Sequence, residues 1–154
     1  MDKVSFKQKI ENHEITCAVV GLGYVGLPLA VEKAKAGYKT IGFDIQQKKV
    51  DMVNDGKNYI GDVVDKDLSA LVKEGRLSAT SNFSFVKDVD FIAICVPTPL
   101  DAHQQPDISY VKSSSEAVAK YLTKDTIVVL ESTTYPGTTE GLIRPILEEG
   151  SGFK

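Results

Sequence analysis

Ala18-Val19-Val20-Gly21-Leu22-Gly23-Tyr24-Val25-Gly26-Leu27-Pro28 is an apolar run that feeds into G-x-G-x-x-G and continues into a helix-compatible segment. Alone, the glycine pattern is weak, because flexible loops and kinase-type loops share it. Its context gives it meaning: a strand before, a helix after, and an acid at the end of the next strand. Gly21 permits the tight turn, Gly23 lets the backbone approach a pyrophosphate, and Gly26 lets the helix pack on the strand. The helix N-terminus adds free N–H groups and a partial positive charge. The next apolar run, Thr40-Ile41-Gly42-Phe43, ends at Asp44, eighteen residues past Gly26. A carboxylate there is placed to accept hydrogen bonds from an adenosine ribose. The competing reading, a glycine turn and an unrelated surface aspartate, leaves the order of strand, glycines, helix, strand and acid unexplained.

The rest of the chain alternates in the same way. Residues 5–12 read as a short amphipathic helix ahead of the first strand, which spans about 15–20. A helix over 24–36 closes at Gly37, a strand covers 39–43, and a helix over 46–54 stops at Asn54-Asp55-Gly56. Asp65 opens another short helix that ends at Gly75, and Leu77-Ser78-Ala79-Thr80 reads as a sheet-edge strand. Asp90-Phe91-Ile92-Ala93-Ile94-Cys95-Val96 is a continuous apolar run, as a central parallel strand covered on both faces requires. A polar loop to Asp107, a helix at 109–121, a strand at 126–130 and a helix from 137 to 148 complete the pattern. The expected fold is α/β: a Rossmann-type doubly wound parallel sheet flanked by helices, with a short extra N-terminal helix. Residues 1–14 form an N-terminal extension and 15–154 the dinucleotide-binding domain.

Composition is compatible with this fold and excludes several classes. The 154 residues, 42% hydrophobic and 25% charged, allow one ordinary domain with a sizeable core. A net charge of −3 gives no reason to expect nucleic acid or an anionic membrane surface. No apolar run approaches bilayer length, and Met1-Asp2-Lys3-Val4-Ser5 lacks a signal peptide's hydrophobic region. Cys17 and Cys95 each lie in a strand-like run, so they read as reduced, buried thiols of a cytoplasmic protein. His13 and His103 have no partner cluster, so no metal site is expected.

Two further segments sit where ligands bind in such sheets, beyond the carboxyl ends of strands. In Cys95-Val96-Pro97-Thr98-Pro99-Leu100 the prolines fix the backbone and Thr98 presents a hydroxyl from a rigid mount. A proline-stiffened surface turn is the plainer alternative. In Glu131-Ser132-Thr133-Thr134-Tyr135-Pro136-Gly137-Thr138-Thr139, hydroxyls crowd a strand-to-helix turn. On the residues alone, helix capping and cofactor contact both stay open there.

The glycine loop through Pro28, Phe43-Asp44, Val96-Pro97-Thr98-Pro99 and Glu131 through Thr138 together resemble the UDP-glucose/GDP-mannose dehydrogenase family. The resemblance covers residues 5–154. Pro97-Thr98-Pro99-Leu100, His103, Pro106-Asp107-Ile108-Ser109-Tyr110-Val111 and Asn58-Tyr59-Ile60-Gly61-Asp62 resemble the branch that oxidises UDP-N-acetylhexosamines, the UDP-N-acetylglucosamine 6-dehydrogenases above all. The resemblance implies oxidation of a sugar C6 alcohol to a carboxylate with two NAD in succession, through a cysteine thioester, in polysaccharide biosynthesis. It implies NAD and a UDP-sugar as partners, and a homo-oligomeric parent protein. The nucleophile, its lysine and asparagine helpers and the sugar-nucleotide domain are then expected beyond Lys154, which makes this chain a cofactor-binding half that is inactive alone.

Carried over residue by residue, the family's pyrophosphate loop falls on Gly21, Leu22, Gly23, Tyr24, Val25 and Gly26. Its ribose acid falls on Asp44, and a basic position near the ribose on Lys49, which charge alone reads equally as an exposed helix lysine. Pro97 and Thr98 match its cofactor loop, and Ser132 and Thr133 its Ser-Thr motif. Thr133 is the one residue with a claim to an auxiliary catalytic role. Two other classes remain: a non-catalytic dinucleotide-binding module, and the cofactor half of a hydroxyacid or 6-phosphogluconate type dehydrogenase. The Pro-Thr-Pro and Glu-Ser-Thr segments count against the last.

Overall fold

The computed structural model describes residues 3–154, in which five parallel strands stand side by side in the order β3-β2-β1-β4-β5. The strands are β1 (Thr16–Val20), β2 (Lys39–Phe43), β3 (Leu77–Thr80), β4 (Phe91–Ile94) and β5 (Ile127–Leu130). Helices α1 (Lys3–Glu11), α2 (Gly26–Lys35), α3 (Gln47–Asn54), α4 (Asp65–Lys73), α5 (Ser109–Ala119) and α6 (Arg144–Ser151) alternate with them. Chain order reverses beside β1, since β2 and β4 pair on its two sides. That reversal is a topological switch point, and it opens a crevice at the carboxyl ends of β1 and β4.

Strand periodicity sends alternate side chains to opposite faces, and a hydrophobic core lies on each face. Val19 and Ala93 join a core with Leu27, Ala30 and Val31 of α2, Val50 and Val53 of α3, and Leu68 and Leu71 of α4. Ala18, Val20, Ile92 and Ile94 face the other way, with Phe43, Val86 and Val118 of α5. Helix α1 buries no residue; it is tied to the domain by the Tyr38 hydroxyl, which donates to the Ile10 carbonyl at 3.1 Å. His13 packs edge-on against the Tyr38 ring, 4.7 Å between centroids.

The expected doubly wound parallel sheet is the observed one, and three local features depart from the sequence reading. The helix expected from residue 24 begins at Gly26, because Gly23, Tyr24 and Val25 belong to the loop. Phe83–Asp88 forms a 3₁₀ turn, capped by the Asn82 side chain, which accepts from the Ser84 N–H at 3.0 Å. The helix expected from 137 is divided. Thr139–Ile143 is a π turn in which the Arg144 N–H bonds to Thr139 five residues back, and α6 restarts around Pro145. Proline has no N–H to donate to the preceding turn, which accounts for the break.

Candidate cofactor-binding site

Gly21 leaves β1 with φ +92°, a conformation that a Cβ penalises. A Cβ there would also stand 2.8 Å from the Cys95 carbonyl, where β1 and β4 converge. At Gly26 a Cβ would lie 1.7 Å from the Gly21 carbonyl, so only glycine lets α2 start so close to the strand exit. Gly23 is different in kind: a Cβ there would meet nothing within 4 Å. The fold does not need glycine at that position. The open space beside it is a cradle for a ligand that approaches the backbone.

Asp44 directly follows β2, with only 7% of its surface exposed. One carboxylate oxygen accepts the Leu22 N–H at 2.9 Å, and the other accepts the Gln46 N–H at 2.8 Å. Lys49 Nζ stands 4.0 Å from the first oxygen and is half-buried, whereas Lys48 is exposed. Each carboxylate oxygen has a further lone pair, so the group can brace the glycine loop and still accept from a hydroxyl.

These parts face one cleft of about 640 Å³, within the roughly 300–1,000 Å³ range of small-ligand sites. Gly21, Gly23, Tyr24 and Val25 form one side of it; Asp44, Ile45 and Lys49 also line it. Val96, Pro97 and Thr98 enter from the exit of β4, and Glu131, Ser132 and Thr133 from the exit of β5. Of the sequence-derived positions, Leu22 and Gly26 do not line it. The Leu22 side chain is fully buried under β2, where Gly42 makes room for it, and Gly26 is packed beneath the loop.

The hydroxyl-rich turn separates into distinct jobs. Ser132 Oγ donates to the Val96 carbonyl at 2.8 Å and so ties the end of β5 to the loop that carries Thr98. Thr138, buried, donates to the Tyr135 carbonyl at 2.7 Å and closes the turn. Thr133 is exposed on the cleft wall, and no protein group among the described residues takes its hydroxyl. Thr138, at the N-cap of the following π turn, makes no side-chain capping bond either.

Sequence reasoning did not place Tyr59, Ile60 or the Tyr110, Ser113, Ser114 and Ala117 face of α5 around the cleft. Ile60 and that helix face line it, and the Tyr59 hydroxyl donates to the Leu22 carbonyl at 2.7 Å. The four α5 positions share one side of a helix by their spacing, a signal legible only once the cleft is known.

Neither cysteine is an activated nucleophile. Burial first, and the Glu131 charge second, push the Cys95 thiol up to about 11. Burial also raises Cys17, so both stay protonated at neutral pH. Among the described residues no three His, Cys, Asp or Glu side chains converge as a metal site. No helix there is long and apolar enough to cross a membrane.

The family model for the NAD-binding domain of the UDP-glucose/GDP-mannose dehydrogenase family matches residues 15–154. The chain belongs to that family. NAD is the cofactor of this domain, and the cleft has features that suit it: open backbone at Gly23, where a Cβ would meet nothing, and the buried carboxylate of Asp44. The chain is 45% identical over 136 residues to protein CapL of Staphylococcus aureus, covering 88% of this chain and 31% of CapL. It is 41% identical over 141 residues to a UDP-N-acetyl-D-glucosamine 6-dehydrogenase of Pseudomonas aeruginosa, covering 92% and 32%. An NDP-N-acetyl-D-galactosaminuronic acid dehydrogenase from Methanosarcina mazei Go1 superposes with a TM-score of 0.85 at 35% identity, covering 100% of this chain and 35% of that one. The chain thus spans about a third of the length of these relatives.

Proposed function

We propose that residues 15–154 are the NAD-binding half of a nucleotide-sugar 6-dehydrogenase whose substrate is a UDP-N-acetylhexosamine, with residues 1–14 an appended extension. The observation that carries this reading is the convergence of the glycine loop, Asp44, Thr98 and Thr133 on one cleft, in a chain 41% identical to a UDP-N-acetyl-D-glucosamine 6-dehydrogenase. The setting proposed is cytoplasmic, with a homo-oligomeric parent protein.

In this reading the bound NAD supplies a hydride acceptor, and the chain's own residues bind and orient. The N–H groups of the glycine loop and the start of α2 take the pyrophosphate. Asp44 accepts from the ribose hydroxyls, with Lys49 beside it. Pro97 and Thr98 meet the cofactor from β4, on a loop held by Ser132. Thr133 presents its free hydroxyl toward the reacting carbon, where it orients a water molecule. This chain contains no thiolate to carry a covalent step, since Cys17 and Cys95 are both buried.

Two results are expected from the 154-residue chain. Calorimetry should show saturable binding of NAD, and incubation with NAD and UDP-N-acetylglucosamine should produce no NADH. Steady NADH formation by protein free of contaminating enzyme would overturn the division of labour proposed here.

The second expectation concerns cofactor choice. A 2′-phosphate brought to Asp44 meets a buried negative charge, while a 2′-hydroxyl finds an acceptor. NADP should therefore bind at least about tenfold more weakly than NAD, the equivalent of about 1.4 kcal/mol. Asp44→Ala should weaken NAD binding and narrow that gap, because Lys49 then meets the 2′-phosphate unopposed. Equal or tighter binding of NADP by the wild-type chain would refute this role for Asp44.

A further inference from the structure

The loop between α3 and α4 carries a device that acts on the glycine loop from outside the cleft. Its frame is Asn58. The Asn58 side chain accepts the Ile60 N–H at 2.7 Å and donates to the carbonyls of Ile60, at 2.6 Å, and Val63, at 2.5 Å. The Asn58 N–H in turn donates to Asp65 at the start of α4, at 3.2 Å. Tyr59 is thereby held between two braced residues, with its ring packed against the core that α2, α3 and α4 share with the sheet. Its hydroxyl reaches the Leu22 carbonyl at 2.7 Å, across 37 residues of sequence.

Leu22 is gripped on both sides. Its N–H is held by Asp44 and its carbonyl by Tyr59. Fixing both polar groups of one residue fixes the planes of the two peptides that flank it, because each peptide is rigid. The second of those planes contains the Gly23 N–H, which opens the stretch of backbone facing the cleft. The buried Leu22 side chain removes the remaining freedom. Burial and the nearby Asp44 charge raise the Tyr59 phenol pKa, so the donor keeps its proton.

We infer that Tyr59 is a positioning residue of the dinucleotide site: its hydrogen bond to the Leu22 carbonyl aims the Gly23–Val25 backbone at the pyrophosphate. The inference rests on the NAD reading of the cleft. It assigns a binding role to a side chain that does not itself line the site.

Tyr59→Phe keeps the ring and removes only the donor. NAD affinity should be measured by calorimetry at a temperature where circular dichroism shows both proteins fully folded. The affinity should fall about three- to tenfold, the effect of one neutral hydrogen bond. Amide hydrogen exchange supplies the local control. The Leu22 N–H should exchange faster in Y59F, while the Val19 N–H in β1 keeps its wild-type rate. A purely structural role would lower the melting temperature and speed both amides without changing the NAD dissociation constant of the folded protein. Wild-type binding with Y59F weakened less than threefold overturns the inference alone. Failure of the wild-type chain to bind NAD overturns the cofactor reading, and this inference with it.

Discussion

Gly26→Ala is expected to weaken NAD binding about 100-fold and to destabilise the domain by about 3 kcal/mol, the upper end for an overpacked buried site. The added Cβ would stand 1.7 Å from the Gly21 carbonyl and 3.3 Å from Cys95 Cβ. The first contact is with backbone at a positive-φ turn, which has no side-chain rotamer to yield. Either α2 moves away from β1 or the Gly21 turn opens, and both displace the N–H groups of the loop. Losing two charge-assisted hydrogen bonds at about 1.5 kcal/mol each accounts for the affinity loss. For a chain of this size the melting temperature should drop by roughly 6–12 °C. Gly23→Ala is the companion experiment. A Cβ at Gly23 meets no protein atom within 4 Å, so the fold should tolerate it while the cradle it fills is lost to the pyrophosphate. Its melting temperature should stay at the wild-type value while NAD affinity falls. If both variants bind NAD as the wild type does, the glycine loop is not the phosphate site.

Thr133→Ala carries the largest expected effect on rate, and it is read in a protein that joins this domain to the remainder of a family enzyme. There kcat should fall about 10²–10⁴-fold, the usual worth of a positioned group in proton transfer or water orientation. NAD affinity should stay within a few-fold of wild type. The alternative role, helix capping, would cost about 1 kcal/mol of stability and little rate. The geometry separates the two in advance. The π turn begins at Thr139, Thr138 closes the preceding turn on Tyr135, and Ser132 holds Val96. Thr133 is left exposed on the cleft wall. Measuring kcat, NAD affinity and melting temperature on one variant decides the matter. A normal kcat with a lowered melting temperature would assign Thr133 to the fold.

Much of this molecule is determined locally, and that part is legible in the sequence. Apolar runs of strand length alternate with helical faces such as Val50 and Val53, which suffices for a parallel sheet with helices on both sides. The spacing of Gly21, Gly23 and Gly26 encodes a positive φ, a cradle and a close approach, all consequences of a missing Cβ. Asp44 follows because β2 lies beside β1 and ends at the same level, with Val20 in register with Phe43.

Tertiary structure decided what depends on residues far apart in the chain. The Tyr59 bond to Leu22 and the Ser132 bond to Val96 span 37 and 36 residues. The first exists because β2, which feeds the α3–α4 loop carrying Tyr59, pairs with β1, which runs into Leu22. The second exists because β4 and β5 are neighbours. Serine, threonine and tyrosine hydroxyls have the same local signature whether they cap a turn, brace a loop or face a ligand. Only the partner each hydroxyl meets in the folded chain tells them apart: Thr138 finds Tyr135 three residues away, whereas Tyr59 and Ser132 find partners that tertiary packing brings to them. The sequence alone therefore determined the sheet and its glycine loop, while packing around the switch point decided that Tyr59 meets Leu22, that Ser132 meets Val96 and that Thr133 faces the cleft.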